Sequence, residues 1–139
     1  EGFRQRSSAV LQLLSDDDTA FVLVASPRRD TIEEAQYFAD RLGEASISVR
    51  ALIVNRMHPT FGPGLGEAAG ERAATLDGTD LGGLYRNLAD FQLVAAREEH
   101  HLAGLASAVA PAPVVRVPFL PTDVHDIDGL TDLAALMLD

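Results

Sequence analysis

The chain has 139 residues, 47% hydrophobic and 23% charged, with a formal net charge of −10 and no cysteine. Such a length makes one domain that buries roughly two-thirds of its unfolded surface, and the acid excess disfavours duplex nucleic acid and anionic membranes, which are held by Lys and Arg fields. Without cysteine there is no disulfide, no thiolate zinc site and no thiol nucleophile.

Residues 4 to 14 read as the end of a helix, with Val10, Leu11 and Leu14 at helical spacing, and Asp16-Asp17-Asp18 makes a solvated turn. Thr19 to Ser26 is a continuous apolar run, the pattern of a strand covered on both faces, and Pro27 ends it. Asp30 and Glu33 have capping-box spacing and open a helix over about 31 to 44, with Ile32, Ala35, Ala39 and Leu42 on one face. Val49 to Asn55 is the second buried strand, and the strand–helix–strand unit predicts a parallel crossover. Residues 57 to 78, broken by His58-Pro59, Phe61-Gly62-Pro63-Gly64 and Gly66, read as an irregular loop insertion. The helical period returns from about Asp80 to Val109, as one long helix or a helical pair, until Pro111 and Pro113 stop it. Val114 to Phe119 is the third strand, and the last helix carries Leu130, Leu133, Ala134 and Met137 on one face. The expected fold is therefore α/β, a three-stranded, mostly parallel sheet with flanking helices in a single domain.

Two strand ends carry the candidate chemistry. Val49-Arg50-Ala51-Leu52-Ile53-Val54 stops on Asn55 and Arg56, and Val114-Val115-Arg116-Val117 stops on Pro118 and Phe119. Ligands of open α/β sheets bind just beyond the carboxyl ends of strands. An asparagine amide offers one donor and one acceptor group, as reading a purine edge requires. Proline fixes φ and suits a rigid rim against a flat ring.

The other motifs argue for blander roles. Gly62-Pro63-Gly64-Leu65-Gly66 fails the dinucleotide fingerprint, because the third glycine would fall on Glu67. Glu98-Glu99-His100-His101 reads as a solvated helical face rather than a metal site, since adjacent helical residues diverge. His58 and His125 are lone loop histidines, the latter in the stretch after the third strand. All 11 basic residues are arginine, so a phosphate-binding loop ending in Lys-Ser or Lys-Thr does not occur in these residues. No catalytic or metal-ligating residue is assigned.

Three stretches in register carry a resemblance. They are Thr19–Pro27 with Thr31-Ile32-Glu33-Glu34-Ala35, Val49–Arg56, and Val117-Pro118-Phe119-Leu120 continuing through Val124-His125-Asp126-Ile127-Asp128-Gly129-Leu130. Together they resemble the C-terminal part of the arsenite-pump (ArsA) and tail-anchored-protein-targeting ATPases, dimeric relatives of the MinD and ParA P-loop switches. The resemblance covers about residues 1 to 56 and 85 to 139. It implies a base-binding portion of a larger P-loop fold, with Asn55 on the adenine edge, Arg56 beside it, Pro118 against the base and Phe119 adjacent. It implies ATP as ligand, with Mg²⁺ held by the parent's N-terminal part, a homo- or heterodimeric parent, and a protein or membrane-protein client. The chain begins at Glu1, which fits a piece of a longer protein whose phosphate loop lies upstream, so this segment alone is expected to be inactive. Two features depart from the family. Arg28 stands where an acidic residue is common, and the absence of cysteine excludes both the zinc staple of some eukaryotic dimers and thiol coordination of arsenite.

No apolar run nears the roughly 20 residues that cross a bilayer, so membrane insertion is not expected and a cytoplasmic location is. The rival expectation is a non-catalytic α/β interaction module that binds no nucleotide and docks through its alanine-rich, acidic helical face.

Overall fold

The three apolar runs become β1 (Phe21–Ala25), β2 (Val49–Met57) and β3 (Val114–Pro118). The structure, a computed structural model, describes every residue except Glu1, Ser15, Asp17 and Asp139. The expected turn at Asp17 therefore lies partly outside the described residues, although Asp18 N–H donates to Asp16 Oδ1 at 3.0 Å. The helices are α1 (Gly2–Leu14), α2 (Arg29–Glu44), α3 (Leu65–Thr75), α4 (Asp80–Ala108) and α5 (Ile127–Leu138). The strands pair in parallel in the order β1-β2-β3. The fold is thus α/β, a three-stranded parallel sheet flanked by helices.

Parallel crossovers are right-handed, so two successive crossovers in the same direction carry their helices to one face. There α2 and α4 pack on each other and on the strands. The core lies between, built from Leu23 and Ala25 of β1, Ile32, Ala39 and Leu42 of α2, Leu52, Val54 and Met57 of β2, and Leu102 and Leu105 of α4. On the opposite face α5 lies against β3, and Val117 is buried. Val22 and Val24, however, are 48% and 65% exposed. This corrects the expectation of a first strand covered on both faces. A continuous apolar run reports that both faces are apolar, not that this chain supplies both covers.

The two edges of the sheet differ. Leu52 N–H donates to Pro113 O at 2.9 Å and Phe119 N–H donates to Met57 O at 2.7 Å, so the odd-numbered residues of this stretch turn their backbone groups toward β2. Pro118, at an even position, lacks its N–H where the edge faces outward, a position that tolerates proline. Arg116 Nη1 also reaches Val114 O at 3.5 Å.

Local structure departs from the sequence reading at two helices. The capping box at Asp30 and Glu33 does not form, because α2 starts at Arg29 with Arg28 as its N-cap. Asp30 instead accepts from Arg28 at 2.8 Å and from Thr31 N–H at 3.0 Å. The Arg28 guanidinium first, and then the Thr31 N–H, hold its carboxyl below the ordinary value. Residues 65 to 75, expected to be irregular, form α3. Gly66 is no breaker here, since a Cβ on it would lie 2.9 Å from Gln92 Cβ on α4. Close helix approach, not flexibility, explains that glycine. Between 80 and 108 a single helix forms rather than a pair, its N-terminus capped by Thr79 Oγ1 accepting from Gly82 N–H at 3.0 Å.

The asymmetry between the faces is measurable. Leu52→Ala, at a fully buried position, should cost about 2–5 kcal/mol in urea unfolding, by lost transfer energy and the cavity left behind. Val24→Thr on the open face should cost about 0.5 kcal/mol or less.

Candidate functional site

The site begins with an irregularity in β2. Asn55 pairs with Val117, but the next partner of β3, Pro118, pairs with Met57. Arg56 is therefore an extra residue, a bulge, and it sits at φ 64°. Side chains alternate along a strand, and Leu52 and Val54 face the core, so regular continuation would drive the Arg56 guanidinium into that core. The bulge slips the parity by one residue. Met57 takes the core position, 4% exposed, and Asn55 and Arg56 both emerge at the surface. The left-handed conformation costs an arginine about 1–2 kcal/mol. Such strain concentrates at functional sites.

The β3 end supplies the facing wall. Pro118 closes the strand half-buried, and Phe119, 59% exposed, is tied back to β2 by its N–H on Met57 O. Asn55, Arg56, Pro118 and Phe119 line one groove of ≈ 450 Å³, at the carboxyl ends of adjacent parallel strands. The loop to α5 completes it with Asp123 and His125. That loop is held by Asp126, whose Oδ1 accepts from Gly129 N–H at 2.8 Å at the start of α5. A second groove of ≈ 460 Å³ continues beneath α5 and is lined by Asp126, Asp128 and Asp132.

A larger groove, ≈ 750 Å³, runs between α4 and the segment that includes Gly62 and Gly64, with mainly apolar walls such as Ala89, Leu93 and Ala96. Volume favours that groove. Chemistry favours the strand ends, where an amide, a guanidinium, a carboxylate and an imidazole meet flat apolar walls, as ligand sites typically require. This arrangement offers an apolar wall, Pro118 and Phe119, opposite the amide of Asn55 and the guanidinium of Arg56.

No protein-family model matches this chain, and no curated protein is significantly similar to it.

Two hydrogen-bonded pairs escaped the sequence reading. His58 is not a lone loop histidine: its N–H donates to Glu98 Oε2 at 2.8 Å and its Nδ1 lies 2.7 Å from Glu98 Oε1. A carboxylate oxygen only accepts, so Nδ1 carries the proton. Glu99 in turn takes a forked pair of bonds from Arg116, at 2.7 and 3.1 Å. The expectation of a solvated face at 98 to 101 is therefore corrected at Glu98, whose side chain is only 12% exposed, while the Glu99 side chain is 41% exposed and His100 and His101 are exposed. Partners forty residues apart leave no spacing signal in a sequence. The His58 ring stands 5.7 Å from that of Phe91 and 6.4 Å from that of Phe119.

Strain at Arg56 can be tested without any ligand. Arg56→Gly should raise the unfolding free energy by about 1 kcal/mol, because glycine adopts positive φ without a Cβ penalty. Arg56→Val should lower it, since a β-branched residue fits that conformation worst. Urea titration of both variants provides the check.

Proposed function

We propose that the strand-end groove binds the base of an adenine nucleotide, and that the chain is the base-binding portion of an ArsA-like ATPase. One observation carries the reading. Asn55, Arg56, Pro118 and Phe119, the positions that the resemblance implies, come from two separate strand ends and line a single groove. In this reading Asn55 pairs with the base edge with Arg56 beside it, and Pro118 lies against the ring with Phe119 adjacent. The larger P-loop fold, the dimeric parent, its client and its cytoplasmic location belong to the same reading.

The residues fit the base but not the rest of the nucleotide. No lysine is present, and among the described residues no group of three or more His, Cys, Asp or Glu side chains is placed to hold a metal ion. Phosphoryl transfer depends on cations and on oriented backbone donors around the phosphates; in this reading the parent's N-terminal part supplies them and this chain orients the base.

A second reading, an interaction module that binds no nucleotide, draws on a different observation. Val22 and Val24 leave part of the sheet's apolar face open, and an uncovered apolar face is a docking surface.

Calorimetric titration with ATP separates the two. Asn55→Ala should weaken binding by about 1–3 kcal/mol, the penalty of leaving polar partners unpaired, while Val24→Thr should leave affinity unchanged. Unchanged ATP affinity in Asn55→Ala, measured in the longer protein that supplies the phosphate site, would overturn the adenine reading and give the lead to the interaction module.

A further inference from the structure

The strained turn at Arg56 needs something to hold it. A residue kept in an unfavourable backbone region persists only where its surroundings over-determine it. On the near side, Asn55 is fixed by its register with Val117. Beyond it, Met57 is buried and its carbonyl accepts from Phe119 N–H at 2.7 Å. The last anchor is His58, which a single carboxylate grips at two points, the backbone N–H at 2.8 Å and ring Nδ1 at 2.7 Å. That carboxylate belongs to Glu98, in the interior of α4 and far along the chain.

Released from Glu98, the segment 57 to 58 loses the anchor that follows the turn at Arg56. Asn55 keeps its register with Val117, but the left-handed turn at Arg56 and the Phe119 wall tied to Met57 would loosen. The His58 ring also stands beside that of Phe119, so the same grip steadies the opposite wall. We infer that Glu98, acting through His58, is a positioning residue of the strand-end groove. It holds Arg56 and Phe119 in place without itself lining the groove. The ligand's identity rests on the adenine reading above; the mechanical role does not.

Glu98→Ala should weaken ATP binding about tenfold. In an Arg56→Gly background, where positive φ needs no holding, the same change should weaken it less than about twofold. A merely structural contribution would be equal in both backgrounds. If Glu98→Ala fails to fold, Glu98→Gln keeps the volume and one acceptor, and should show the same pattern at smaller amplitude.

A second readout needs no ligand. Hydrogen exchange at the His58 and Phe119 amides should quicken with Glu98→Ala, and the Phe119 effect should vanish with glycine at 56. Unchanged affinity in Glu98→Ala, or equal losses in both backgrounds, would overturn the inference. Should the wild-type chain bind ATP too weakly to measure, the exchange pattern decides the positioning role by itself. Unquickened exchange at Phe119 would then overturn the positioning role.

Discussion

The handedness of the β–α–β crossover governs this structure. Two right-handed crossovers in the same direction give the order β1-β2-β3, put α2 and α4 on one face, and make β2 the central strand. The core follows, because the side chains of β1 and β2 that face those helices are Leu23, Ala25, Leu52 and Val54. The groove follows too, because parallel strands end together and the loops leaving β2 and β3 must part around the same end. So does the open face, since only a reversal in winding direction would bring a crossover helix to the other side. One steric preference thus places the buried layer, the crevice and the exposed valines.

What the sequence made legible was whatever depends on local pattern. The apolar runs marked the three strands, and the 3.6-residue period marked α2 and α4. The abrupt ends at Asn55 and Pro118 marked the groove's walls. What stayed hidden depends on meetings between distant residues. Gly66 reads as a breaker until α4 is placed beside it and Gln92 is found where a Cβ would go. His58 and Glu98 each look solitary until the fold brings them together. The bulge belongs to both kinds. Arginine at the parity position that Leu52 and Val54 use for the core is a local contradiction, and the chain resolves it by inserting one residue.

Charge gives the groove a direction. Arg56 stands on the β2 side, while Asp126, Asp128 and Asp132 line the continuation beneath α5. In a chain of net charge −10, most exposed guanidinium groups near carboxylates are already engaged, as Arg28 is with Asp30, Arg29 with Glu33 and Arg116 with Glu99. The groove is thus more positive beside β2 than beneath α5.

The unequal edges of the sheet have a consequence for assembly. On the outer side of β3, Pro118 offers no N–H and the Val114 carbonyl is approached by Arg116, so an arriving strand would find a ladder with missing rungs. β1 has no proline between Phe21 and Ala25, and from Val22 to Ala25 it pairs with β2 in regular register. The sheet is thus a template with one growing end. A polypeptide that lengthens it, whether from the same chain or another, meets fewer missing rungs beside β1, away from the groove at the ends of β2 and β3.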